Sequence, residues 1–178
     1  MFVPPHWHHK NTKFIDQEID ETISKFKKII PKVHDNHSSF HESTHPESIW
    51  LEHYDKIIKD VLDNMGLFEH CTYNFKYWAQ LYLTDCLHNA HHHFHKDVHI
   101  SFVHFIRVTD KPLFRFTNCK GDYYIPKQNQ GDLLLFPSWV WHEVISNKSN
   151  LDRFVVAGNI EIEYMQTRPF IPSGTHDD

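Results

Sequence analysis

GDLLLFPSWVWHEVI, residues 131–145, opens on a turn dipeptide and runs through four apolar residues. It then corners at Pro137-Ser138 and delivers a histidine at position 142. Gly131-Asp132 has the chemistry of a tight turn. A short apolar run bounded by turn residues reads as a buried strand. Many β-proteins contain such a strand. Its weight comes from two residues downstream: His142, and then Arg153 eleven residues later, at the head of a second β-rich run, RFVVAGNIEI.

The same texture extends upstream. Short β-rich runs separated by turn residues predict strands near 75–83, 87–93, 99–108, 113–116, 123–126, 132–136, 142–145 and 153–162. Before residue 71 the pattern is helical. Ile15, Ile19, Ile23, Phe26 and Ile30 recur at spacings of three and four, with Pro31 as the stop. Trp50, Tyr54, Ile57, Ile58, Val61, Leu62 and Met65 repeat the pattern, and Gly66 is placed as a C-terminal cap. Between these helices HDNHSSFHESTHPES reads as a polar loop, and residues 1 to about 13 as a loose leader. About eight short strands behind two helices predict a mainly β fold, two sheets packed as a sandwich or jelly roll. The expected organisation is a single domain over 1–178: helical support over 1–70, the β-unit over 71–165 and a tail over 166–178.

Composition narrows the function classes. The length suits one domain with a real core. A formal net charge of −5 gives no polyanion-binding footprint, so nucleic acid is disfavoured as partner. Three cysteines without CxxC spacing read as reduced thiols, which predicts a cytoplasmic protein. No apolar run approaches membrane-spanning length, and the N-terminus lacks a signal peptide's apolar stretch. The unusual number is 18 histidines, which raises the expectation of metal binding.

Six of those histidines lie in HNAHHHFHKDVHIS, residues 88–101. Residues i and i+2 share a face of a strand. His93 and His95 therefore aim the same way, as do His95 and Asp97; either pair offers a cation two adjacent ligands. His91, His92 and His99 are read as non-ligands. His142 supplies the third ligand. Two histidines and a carboxylate form the facial triad of non-haem Fe(II) oxygenases. A deeply placed Arg153 is costly unless an anion meets it, and its fork suits a carboxylate. Trp78, Gln80 and Tyr82 share one face and are candidates for the pocket wall. Trp139 and Trp141 point away from His142, to core or rim, and Glu143 is a candidate acceptor for a ligand imidazole.

H-x-H or H-x-D, then G-D-x-x-x-F-P-S-x-x-x-H, then arginine, resembles the iron(II)- and 2-oxoglutarate-dependent dioxygenases. Within them it is most similar to a phage- and marine-bacterial branch. The similarity spans about Trp78 to Asn159. It implies a cupin-like double-stranded β-helix, Fe(II), 2-oxoglutarate and O2, and the products succinate and CO2. It implies a hydroxylase acting on an unknown small molecule or protein side chain, in the host cytoplasm if the gene is viral. The implied metal ligands are His93, His95 and His142, with Asp97 as the alternative, and Arg153 holds the cosubstrate. The chain departs from the pattern at Val155, where many relatives carry a serine for the cosubstrate carboxylate; Tyr82 could take that role. Two other readings remain open. One is a three-histidine cupin-type dioxygenase or lyase without 2-oxoglutarate; the other is a non-catalytic metal-binding β-sandwich.

Overall fold

The computed structural model describes residues 2–9, 14–30, 32–33, 36–66, 71–95 and 97–165. Pro31 and the tail over 166–178 lie outside them. In chain order the elements are β1 (Trp7–His9), α1 (Asp16–Ile29), β2 (Lys32–Val33), β3 (Asn36–Ser38), a 3-10 turn (Pro46–Trp50) and α2 (Leu51–Asn64). Next come β4 (Cys71–Tyr82), β5 (His88–His91), β6 (Val98–Arg107), β7 (Phe114–Thr117), β8 (Tyr123–Tyr124), β9 (Leu133–Pro137), β10 (His142–Val144) and β11 (Arg153–Met165).

Both helices form where the apolar spacing predicts them. α1 buries Ile19, Ile23 and Phe26, and its charges suit the helix dipole, with Asp16 and Glu18 in the first turn and Lys27 and Lys28 in the last. α2 buries Tyr54, Ile57, Ile58, Val61 and Leu62. Gly66 comes after it at φ +68°, a left-handed conformation that closes the helix end and places its N–H 2.8 Å from the Asp63 carbonyl. Two elements depart from the sequence expectation. The leader contains β1, and a β2–β3 pair forms with β2 just after the Pro31 stop and β3 inside the polar loop. Neither has an apolar period of its own; both exist because a neighbouring strand offers them hydrogen bonds.

The strands make two antiparallel sheets. The larger has the order β1-β9-β6-β11-β4-β3-β2 and the smaller β5-β10-β7-β8. This is the double-stranded β-helix that the motif resemblance implies. Strand alternation divides the long strands between two cores. Ala79, Leu81, Phe154, Val156 and Ile160 face the helices and pack with Phe26, Trp50 and Ile58. Trp78, Tyr82, Val155 and Ala157 face the smaller sheet, with Phe105, Phe114, Phe116 and Phe136. Buried Glu47 pins the helical layer to the large sheet. Its Oε1 accepts from Ser39 Oγ at 2.5 Å and from the Ala79 N–H at 3.2 Å.

Gly158 shows how tightly the central strands are covered. A Cβ there would sit 2.3 Å from the ring of Phe102 and 2.6 Å from the Lys76 carbonyl oxygen. Phe102 is fully buried and has nowhere to retreat. Gly158→Ala should therefore destabilise the protein by about 3 kcal/mol, an overpacking cost, measured as a lowered urea midpoint.

Candidate metal centre

β5 and β10 pair antiparallel, with His91 directly opposite His142. That register brings two imidazoles from distant parts of the chain to one place, their ring centroids 4.3 Å apart. The corner before β10 holds the next stretch of the histidine run. Ser138 accepts from the His93 N–H at 2.9 Å through its carbonyl, donates its own N–H to His99 O at 3.0 Å, and donates its hydroxyl to Val98 O at 2.6 Å. His93 is thereby set beside the other two, 5.1 Å from His142 and 5.0 Å from His91. The potential ligand nitrogens of His91, His93 and His142 all lie within 4.8 Å of one another.

Two of the rings have their tautomers fixed. His91 Nδ1 lies 2.8 Å from the Asn89 carbonyl and His142 Nδ1 lies 3.0 Å from the Val140 carbonyl. A carbonyl only accepts, so each Nδ1 carries the proton and each Nε2 keeps its lone pair for a cation. Burial pushes all three rings below the ordinary histidine value, with neighbouring imidazoles adding to the effect. His93 falls to about 4, and His142, the most enclosed, lies well below its usual range. Neutral imidazole is the form that binds metal.

The other members of the run lie elsewhere. His95 is exposed and makes an isolated bridge with Val98, and Asp97 is exposed in the turn beyond it; among the described residues neither joins the cluster. His92 is exposed and meets the edge of Trp141, while His99 Nδ1 accepts from the Ile162 N–H. His91, set aside on spacing alone, takes the place beside His93. Glu143 points away from the cluster and pairs with Arg115 at 2.6 Å, so backbone carbonyls orient the ligand rings instead. Trp139 and Trp141 are rim residues, 54% and 46% exposed.

A space of about 380 Å³, counted out to its open mouth, runs from these histidines between the sheets. Trp78, Gln80, Tyr82, Val155 and Ala157 line one wall, and Arg153 lies among them. Arg153 is 1% exposed, and its guanidinium lies over the face of Tyr82 at 4.9 Å. Its neighbour Asp152 turns outward to Lys27 at 2.5 Å. Burial lowers Arg153 to about 10, with the adjacent Tyr82 opposing the shift, so it stays cationic at neutral pH. Among the described residues its buried Nη1 and Nη2 find no hydrogen-bond partner. Two unpartnered donors on a buried cation fit an anionic ligand. The donor set therefore suits a divalent metal beside a carboxylate-bearing small molecule.

Residues 114–159 match the model of a family described as "Putative 2OG-Fe(II) oxygenase". The fold matches a prolyl-4-hydroxylase from Pseudomonas putida at TM-score 0.64 and 16% identity, over 88% of this chain and 91% of that one. It matches a prolyl hydroxylase from Trichoplax adhaerens, solved with a hypoxia inducible factor peptide, at 0.62 and 10%, over 88% and 83%. The viral collagen prolyl hydroxylase of Paramecium bursaria Chlorella virus-1, in its 2OG complex, gives 0.55 and 16%, over 87% and 94%. No curated protein sequence matches the chain. The 114–159 segment is thus similar to the 2OG-Fe(II) oxygenase family, and the fold as a whole is shared with these solved hydroxylases.

Because the fold holds these rings neutral, the unfolded chain, with histidines near 6.5, binds more protons in mildly acidic solution. The metal-free protein should be fully stabilised by this effect above pH 6.5 and lose it progressively as pH falls towards about 4. Urea midpoints across that range should show a steeper decline for the native chain than for His93→Gln. Equal slopes would mean that the ring is not held neutral.

Proposed function

We propose that His91, His93 and His142 hold one iron(II) ion, and that Arg153 over Tyr82 seats the distal carboxylate of 2-oxoglutarate, in a hydroxylase. The observation that carries the reading is the buried guanidinium with two unpartnered nitrogens, lining the same space as the three-imidazole cluster. Bound there, iron would supply the coupling of O2 activation to oxidative decarboxylation of 2-oxoglutarate, giving succinate and CO2. The protein supplies orientation and exclusion of water. The Asn89 and Val140 carbonyls aim two ligand rings, Arg153 fixes one end of the cosubstrate, and Phe114 and Phe136 keep the interior wall apolar.

The substrate would approach past the exposed rings of Trp139 and Trp141. A residue of a polypeptide is one candidate class, as in the prolyl hydroxylases that share the fold; a small molecule is the other. The acidic balance disfavours nucleic acid. No described helix is long and apolar enough to cross a membrane. The three cysteines are all free, which suits the reducing cytoplasm, that of the host cell where the gene is viral.

The all-histidine cluster and the apolar Val155 favour a second reading, a cupin-type dioxygenase that needs no 2-oxoglutarate. Anaerobic Fe(II) titration separates the two. A visible charge-transfer band that requires both iron and 2-oxoglutarate supports the first, and iron binding indifferent to the cosubstrate supports the second. His142→Ala and His91→Ala should abolish stoichiometric iron, whereas His95→Ala and Asp97→Asn should retain it; the reverse pattern would sink this ligand set. Arg153→Leu should keep iron bound and weaken 2-oxoglutarate by roughly a hundredfold, the scale of removing a buried charged hydrogen-bonding partner. Undiminished succinate formation at low cosubstrate would remove Arg153 from the seat.

A further inference from the structure

Arg153 is held by more than the ring beneath it. The Tyr82 hydroxyl donates its one proton to Gln80 Oε1 at 2.8 Å. The hydroxyl oxygen lies 3.3 Å from His88 Nδ1, and Gln80 Nε2 lies 3.5 Å from the same nitrogen. Three polar side chains from β4 and β5 thus meet at the Arg153 end of the space; with the Tyr82 proton given to Gln80, a protonated His88 Nδ1 donates to the Tyr82 oxygen, and its 3.5 Å approach to Gln80 Nε2 is a contact only. His88 also reaches the histidine cluster, its ring stacked on His91 with centroids 4.1 Å apart and an interplanar angle of 23°. It therefore touches both a candidate ligand and the hydroxyl of the tyrosine under the guanidinium.

β11 offers an anion no hydroxyl two residues beyond Arg153, because Val155 stands there, buried and apolar. Further polar contacts have to come from across the strand pair. Register places Tyr82 opposite Arg153 and Gln80 opposite Val155. Gln80 is only 7% exposed, so a buried amide stands across from the apolar Val155. A buried amide is costly unless it is hydrogen-bonded, and the Tyr82 hydroxyl meets that need.

Building on the reading of Arg153 as the cosubstrate seat, we infer that Gln80 and His88 are positioning residues for 2-oxoglutarate, fixing through the Tyr82 hydroxyl the ring on which the guanidinium lies. A planar guanidinium gains its specificity for a carboxylate from two parallel hydrogen bonds, which a small tilt destroys. Removing these two bonds to its hydroxyl leaves the Tyr82 ring free to swing and the fork misaimed. The effect falls on the distal carboxylate and spares the metal.

Anaerobic titrations separate this role from general support of the fold. The iron(II)-loaded wild type, Gln80→Leu and His88→Leu would each be titrated with 2-oxoglutarate and with pyruvate, a 2-oxo acid lacking the distal carboxylate. Both variants should weaken 2-oxoglutarate roughly tenfold, the scale of losing a hydrogen bond to a charged group. Pyruvate affinity should stay within about twofold and iron affinity within about threefold, both within the spread of substitutions that leave a contact intact. His88→Asn, which keeps a hydrogen-bonding group, should recover most of the loss. Unchanged 2-oxoglutarate affinity in both leucine variants overturns the inference, as does equal weakening of both acids, which would mark a merely structural role. If His88→Leu disturbs His91 and loses iron, Gln80→Leu decides the matter, since its hydrogen bond leads to Tyr82 and not to a histidine of the cluster. A wild type whose spectrum ignores 2-oxoglutarate altogether would remove the cosubstrate reading itself, and this one with it.

Discussion

The pairing of β5 with β10 is the contact on which the site depends. β5 is four residues long and lies at the edge of the smaller sheet, and β10 has three. Cross-strand pairs contribute only about 0.2–1 kcal/mol each, so a ladder this short needs help. Ser138 gives it, tying the corner before β10 to His93, Val98 and His99 through three hydrogen bonds. Four imidazoles, His88 among them, are thereby crowded together with their basicity suppressed by burial. A cation that accepted their lone pairs would add its binding free energy to that of folding.

Electrostatics link the two ends of the space. Three neutral imidazoles bring no negative charge, so a divalent ion among them would keep its full charge, where a carboxylate ligand would have cancelled half. Arg153 adds a further positive charge, its two terminal nitrogens without a hydrogen-bond partner among the described residues. A dicarboxylate suits such a site on charge alone, since it can meet a cation at each end. Val155, buried and apolar, leaves the polar complement of that site to Tyr82, Gln80 and His88 on β4 and β5.

Much of this was legible in the sequence. The helices, the run of strands, the turn at Gly131, the inward face of Trp78, Gln80 and Tyr82, and the convergence of His142 with Arg153 all derive from local periodicity and turn chemistry. Which histidines gather beside His142 does not. Residues 91/93, 93/95 and 95/97 present the same i, i+2 spacing, and spacing cannot rank them. The grouping is set non-locally: His91 falls opposite His142, and the chain leaves the strand immediately afterwards. β1 and the β2–β3 hairpin escaped for the same reason, since each is a strand only by virtue of its partner.

β1 has a bearing on the site that its length conceals. By lying along β9 it turns what would be the rim of the larger sheet into an interior strand. β9 leads within a few residues to Ser138 and His142, so the anchor of the histidine cluster hangs from it. A rim strand frays and recruits foreign chains, whereas one hydrogen-bonded on both sides opens only with its neighbours. Three residues near the amino end thus act as a selvedge, keeping the weave around the histidines from unravelling at its nearest border.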